Sequence, residues 1–292
     1  LSGVGYALAA ASVFSVNTNL ARLAFAGGSD APTLNAVRFA FTVVVLLIIA
    51  ALRRRSRKPL TPRQRLAAAA LGVLFFLCSF GYMGAIQYIP VSIAVLLLYS
   101  YPALVGLMAR VSECRPLGLA RTAALLLAFA GVALALGVDR TTELDWRGVA
   151  LACLAAGSMA LLVTGSSRVL READHGEVNL HLTATAAVLF LAALAFGGKV
   201  HWPESGGGWL AFGGVLVTFA ACQLTLIAAI GRAGPVPTAA VMNLEPPLTI
   251  GLAVLLVGER LTPLQMLGAV LVVAALFVMS RGRPRPIPAA EP

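Results

Sequence analysis

The sequence predicts an all-α polytopic membrane protein whose ten transmembrane helices form two inverted five-helix repeats. Composition is the first reason: 59% of the 292 residues are hydrophobic and 12% charged, and the mean hydropathy is +0.89. Soluble domains are roughly half apolar and a quarter charged. The second reason is the segregation of positive charge between alternate loops, and the third is a likeness between the two halves of the chain.

Cutting the chain at charge clusters and Gly/Pro punctuation leaves apolar segments near 3–26, 31–52, 65–87, 90–110, 117–138, 147–167, 178–198, 208–230, 235–257 and 262–280. Each approaches the ~20 residues that cross a bilayer. The connections around Ile89-Pro90 and Ala233-Gly234-Pro235 are short enough to force antiparallel hairpins. The first segment lacks a basic leader and contains Asn17, Thr18 and Asn19, so it is expected to remain as a helix rather than be cleaved as a signal peptide.

With a cytoplasmic N-terminus, sixteen of the twenty-two basic residues fall in inside loops. They cluster at Arg53 to Arg65, Arg110 to Arg121, Arg168 and Arg171, Arg232, and Arg281 to Arg285. Four fall outside (Arg140, Arg147, Lys199, Arg260), and Arg22 and Arg38 lie within spans. This bias predicts that both termini are cytoplasmic. It also explains the net charge of +10 without a nucleic-acid partner. The four cysteines (Cys78, Cys114, Cys153, Cys222) have no metal-type spacing, and neither a metal nor a cofactor is expected.

At an offset of 144 residues, the run from Val91 to Tyr101-Pro102 aligns with the run from Pro235 to Glu245-Pro246. Glu113 and Pro116 precede an apolar span as Glu259 and Pro263 do. An odd number of spans per copy inverts the second copy in the membrane, the architecture that gives alternating access to a midplane site. The expected units are residues 1–138 and 139–281, followed by a flexible cytoplasmic tail at 282–292.

These residues resemble the drug/metabolite transporter superfamily, in particular its ten-helix EamA-type members. The resemblance rests on Pro246, the run Gly258-Glu259-Arg260-Leu261-Thr262, Gln265 followed by Gly268, the weaker first-copy counterparts Pro102 and Glu113, and the pair Arg38-Phe39. It implies a bacterial inner-membrane exporter of amino acids or related small metabolites, and it places the last helix of each repeat outside a central cavity. The nearly apolar fifth and tenth spans fit that placement.

Polar residues inside spans mark the expected pathway. The candidate substrate-binding residues are Asn17, Arg38, Tyr82, Tyr99, Tyr101, Gln223, Asn243 and Glu245. The candidate helix-breaking or gating residues are Pro90, Pro102, Pro235, Pro246 and Pro247. Glu245 precedes two prolines that remove backbone donors and disfavour helical dihedrals at the preceding residue. Its repeat counterpart is Tyr101-Pro102. Arg38 stays charged and needs a carboxylate, either of substrate or of Glu245. Tyrosines in the third and fourth spans favour amphipathic or aromatic solutes, and Asn17, Gln223 and Asn243 suit zwitterions, although each also serves as core packing or helix-helix glue. Glu245 and His181 are candidate proton carriers.

There is no phosphate-binding glycine loop, HExxH or nucleophile elbow, so an ATP-driven pump or an enzyme is not expected. The expected activity is secondary or facilitative export, with neutral and aromatic amino acids the preferred substrates and a drug or other metabolite exporter of the same fold the alternative. A non-transporting membrane binding protein or a membrane-embedded enzyme ranks below both. The sequence assigns no oligomeric state.

Overall fold

A computed structural model describes residues 2–52, 59–85, 88–89, 91–113, 119–135, 145–197, 199–257 and most of 262–275. All the regular structure among them is helical: α1 Gly3–Ala26, α2 Ala31–Leu52, α3 Pro62–Ala85, α4 Val91–Leu98, α5 Tyr101–Glu113, α6 Leu119–Ala135, α7 Trp146–Val169, α8 His175–Gly197, α9 Gly206–Ala233, α10 Pro235–Met242 and α11 Glu245–Val257. The final span is described only in short helical pieces between 263 and 275. Pro90, Gln265, the run from Gly258 to Leu261 and the tail at 282–292 lie outside the described residues.

Among the described residues, five helices (α2, α3, α7, α8 and α9) are long and apolar enough to cross a bilayer. In hydrocarbon the backbone must satisfy its own polar groups, and a continuous helix does so. The helix ends have side-chain caps. Ser2 accepts from the Gly5 amide, Asp30 from Thr33, and Asp145 from Arg147. Asp174 accepts from both Gly176 and Glu177, and Ser205 from Gly208. Thr61 and Gln64 exchange bonds in a reciprocal capping box at the start of α3. Large aliphatic side chains are exposed on the outside of the bundle, as at Leu47 and Ile48 on α2, Leu126 on α6 and Val188 on α8.

The packing has two-fold logic. α1 lies along α9, and its counterpart α7 lies along α3; α2 meets α8 across the axis; α3 touches α8 as α9 touches α2. The split spans follow suit, with α10 and α11 against α1 as α4 and α5 are against α7, and α5 against α10 at the centre. α6 sits beside α4, α5 and α11, at the edge of the bundle as its apolar sequence predicts.

The fourth and ninth spans are broken, although not where the prolines suggested. The breaks fall at Tyr99-Ser100 and Asn243-Leu244, and Tyr101 and Glu245 open the following helices. Pro102, Pro246 and Pro247 therefore occupy first-turn positions, where a missing N–H costs little. Glu245 is helical rather than expelled. The backbone at each break is not left free: Ser100 donates to Leu97, Asn243 to Ala240 and Leu244 to Val241, tightened three-residue turns. Pro235 likewise opens α10 after Gly234, whose φ of 83° makes the sharp α9–α10 turn.

Asn17 joins the helices of the longest seam. Its Nδ2 donates to the Val215 carbonyl at 3.0 Å and to Thr218 Oγ1 at 2.8 Å, both on α9. Asn17→Ala is expected to cost about 0.6–1.7 kcal/mol, the range for interhelical bonds in membranes. A thermal melt in detergent would read this as a fall of a few degrees, and an unchanged melting temperature would show that the bond contributes nothing net.

Candidate functional site

Two opposite charges stand inside the bundle, on α2 and α11. The Arg38 guanidinium carbon lies 4.3 Å from the Phe219 ring centroid and 5.8 Å from that of Phe39. Those rings belong to an aromatic cluster in which Phe39 contacts Phe75 at 4.9 Å and stacks on Phe190 at 5.1 Å. Such a platform holds a cation by its ring quadrupole, worth about 0.5–2 kcal/mol. It leaves the hydrogen-bonding edge uncommitted, and Arg38 Nε has no acceptor. The thiols of Cys78 and Cys222 are within electrostatic reach of the guanidinium.

Glu245 stands among hydroxyls. Tyr99, at the break in the first repeat, and Thr18 of α1 lie beside its carboxyl, while the Thr18 hydroxyl itself donates to the Phe14 carbonyl at 3.0 Å. Tyr82, Tyr101 and Cys222 lie within reach of its charge. The breaks thus meet, a tyrosine from one repeat lying beside the carboxylate of the other. Arg38, Tyr82, Thr18 and Glu245 are half-buried although protein surrounds them, so each retains surface that water can touch. Such access is expected of a lined pathway.

The expected direct pair between Arg38 and Glu245 is not formed. Among the described residues no ion pair joins them: the aromatic platform anchors Arg38, while Tyr99 and Thr18 engage Glu245. Burial of each charge is met by rings on one side and hydroxyls on the other.

Of the other candidates, Tyr99 and Tyr101 are buried with ring centroids 6.3 Å apart. Asn17 is committed to α9, and no described contact brings it to Glu245. Gln223 and Asn243 are almost wholly buried, and Gln223 Oε1 and Asn243 Oδ1 have no donor. His181 Nδ1 bonds the Glu177 carbonyl one turn back at 2.9 Å, a local helix contact. Thr18, Cys78, Cys222 and Phe219 were not among the expected site residues. The offset of 144 residues pairs Cys78 with Cys222 and Phe75 with Phe219, a signal available in the sequence.

The family model for the EamA-like transporter family matches residues 1–137 and again 146–281. The chain belongs to the EamA-like transporter family. As a member of that family, within the drug/metabolite transporter superfamily, it is a multi-pass membrane transporter that acts on small molecules in the bilayer. One solved structure, described as "Crystal structure of protein", matches with a TM-score of 0.79 at 19% identity, covering 96% of this chain and 98% of its own. That likeness speaks to the fold alone. No curated protein matches the sequence.

Proposed function

We propose that this EamA-like transporter exports neutral and aromatic amino acids across the bacterial inner membrane, with both termini in the cytoplasm and residues 1–138 and 139–281 rocking about the central site. The observation that carries the reading is the presence, inside one bundle, of an unpartnered cationic donor and unpartnered acceptors. Arg38 offers a buried donor with no acceptor, whereas Glu245 and the free amide oxygens of Gln223 and Asn243 offer acceptors. A zwitterion presents a carboxylate to the first and an ammonium to the second. The rings of Phe39 and Phe219 beside Arg38, and of Tyr82, Tyr99 and Tyr101 beside Glu245, suit an apolar or aromatic side chain.

The orientation follows from the excess of Lys and Arg in the loops at the end that holds the α2–α3 and α7–α8 connections. The three tryptophans, Trp146, Trp202 and Trp209, are at the opposite end, at the starts of α7 and α9. Transport down the substrate gradient and exchange for protons are both compatible with this site.

Efflux of labelled phenylalanine, threonine, methionine and lysine from proteoliposomes, against empty liposomes, tests the reading. Accelerated efflux of the neutral solutes supports it; no acceleration of any sinks the amino-acid assignment and favours a drug or other metabolite as cargo. Glu245→Gln preserves the shape of the side chain beside Tyr99 and Thr18 but removes the charge. It is expected to slow phenylalanine efflux by roughly tenfold, the scale of one charge-assisted bond. Phenylpropionate, which lacks the amine, provides the control: if it is carried, its efflux should be unaffected. Equal slowing of both would assign Glu245 a structural role.

A further inference from the structure

The connection between α8 and α9 runs without helix from Lys199 to Glu204. Lys199 and His201 alternate with Val200 and Trp202, the two-residue period that sends successive side chains of an extended segment to opposite faces. One face is tied to the protein. The His201 amide donates to Thr33 Oγ1 at 3.1 Å, the His201 ring meets the Asp30 carboxylate at 2.9 Å, and the Glu204 amide donates to the Gly27 carbonyl at 2.8 Å. The segment is thereby pinned along the α1–α2 loop. Its other face is turned outward: Trp202 is 47% exposed and stacks on Trp209, which is 50% exposed in the first turn of α9.

Exposed apolar groups flank the pair. Phe196, near the end of α8, is 93% exposed, and Leu210 on α9 is 81% exposed. Each continues an outward stripe: Val188 and Leu191 precede Phe196 on α8, and Val217 follows Leu210 two turns on along α9, all of them exposed. In a multi-pass membrane protein such stripes face hydrocarbon, so Phe196 and Leu210 bring the edge of the hydrocarbon layer to the indoles. Among the described residues neither indole N–H has a protein acceptor, and an indole can only donate. An apolar ring with a free N–H fits the level of a bilayer at which acyl chains give way to ester carbonyls.

The offset of 144 residues maps Trp202 onto Lys58 and Trp209 onto Arg65. The same two positions carry indoles in one copy and cations in the other. Cations suit lipid phosphates, and indoles suit the layer just beneath them.

We propose that Phe196, Val200, Trp202, Trp209 and Leu210 form a lipid-docking anchor whose occupant is the glycerol and ester-carbonyl layer of the bilayer, the indole N–H groups donating to lipid carbonyls. The anchor belongs to the second repeat, and the hydrogen bonds from His201 and Glu204 to the α1–α2 loop pass its hold to the first.

The test uses the whole chain, one copy per nanodisc, with either of two photoactivatable phosphatidylcholines. One carries a diazirine near the headgroup end of an acyl chain, the other at the methyl end, and mass spectrometry maps the adducts. The headgroup-end probe should label the stretch from Phe196 to Leu210 about threefold or more over the methyl-end probe, with the order reversed at Val188 and Val217, two turns deeper. Replacing both indoles (Trp202→Ser with Trp209→Ser) should cut headgroup-end adducts at Phe196 and Leu210 by roughly half or more while Val188 and Val217 keep theirs. The unmodified protein decides the placement even if that variant does not fold. A rim that takes neither lipid probe but reacts with a membrane-impermeant aqueous diazirine lies in water, and one that takes none of the three is covered by the protein itself; either result overturns the anchor. So does a preference for the methyl-end probe, or loss of the rim adducts when two copies share a disc, which would make the patch an interface between copies. Unchanged adducts in a folded serine variant would show that the indoles do not hold the depth. No cargo enters the test, so failure of amino-acid efflux and failure of the anchor are separate results.

Discussion

Arg38→Leu is expected to reduce phenylalanine efflux by about a hundredfold or more while leaving a folded protein. The loss follows from removing the buried guanidinium N–H that, among the described residues, has no acceptor. Deleting one partner of a desolvated, charge-assisted pair costs about 2–5 kcal/mol, and each 1.4 kcal/mol is tenfold. Folding should survive because the repeat equivalent of Arg38 is Leu182, fully buried on α8, so the fold already places leucine at this register. Arg38→Lys should recover only part of the rate. It keeps the charge but loses the plane that rests on Phe219 and the fork that engages a carboxylate in two bonds. Initial rates in proteoliposomes across a range of internal substrate concentrations separate the cases. Leucine at wild-type rates would mean that the guanidinium serves the aromatic cluster alone.

Gly72→Val is expected to lower the melting temperature by roughly 5–10 °C, the scale of a few kcal/mol of overpacking in a chain of this size. A Cβ at this position on α3 would strike the Leu182 carbonyl of α8 and lie 2.6 Å from Thr185 Cβ. Neither neighbour is a flexible side-chain tip, so the helices must separate. Gly213→Ala on α9 is the control: nothing lies within 4 Å of its added carbon. Relief of glycine's backbone entropy should make it neutral or stabilising by up to about 1 kcal/mol. Thermal unfolding in one detergent compares the two, and equal melting temperatures would show that the α3–α8 crossing has slack.

The helices and their order were legible because a bilayer imposes length and apolarity on each span separately. Hence 3–26 and 31–52 match α1 and α2 at both ends. The position of the breaks was less so: proline forbids a donor at one residue, but where the preceding helix ends depends on the turn that Tyr99 or Asn243 can close. The partners of Glu245 were illegible for a different reason. Tyr99 and Thr18 reach it only after two repeats interdigitate, a relation no local period encodes. Arg38 stood out as a charge inside a span, yet its platform combines Phe39 with Phe219, 180 residues on, and only the α2–α9 packing unites them.

All three tryptophans occupy the end opposite the basic loops, where Trp202 stacks on Trp209 with centroids 5.8 Å apart and planes 14° from parallel. Two indoles so close and so nearly parallel couple their excited states, and the third, Trp146, sits in the first residue of α7 at that same end. Ultraviolet emission and near-ultraviolet circular dichroism of the unmodified protein therefore carry an optical record of the tryptophan-bearing rim and almost none of the basic rim. A change in that signal as solute is added would date the motion of one gate within the cycle, without a dye or an engineered probe.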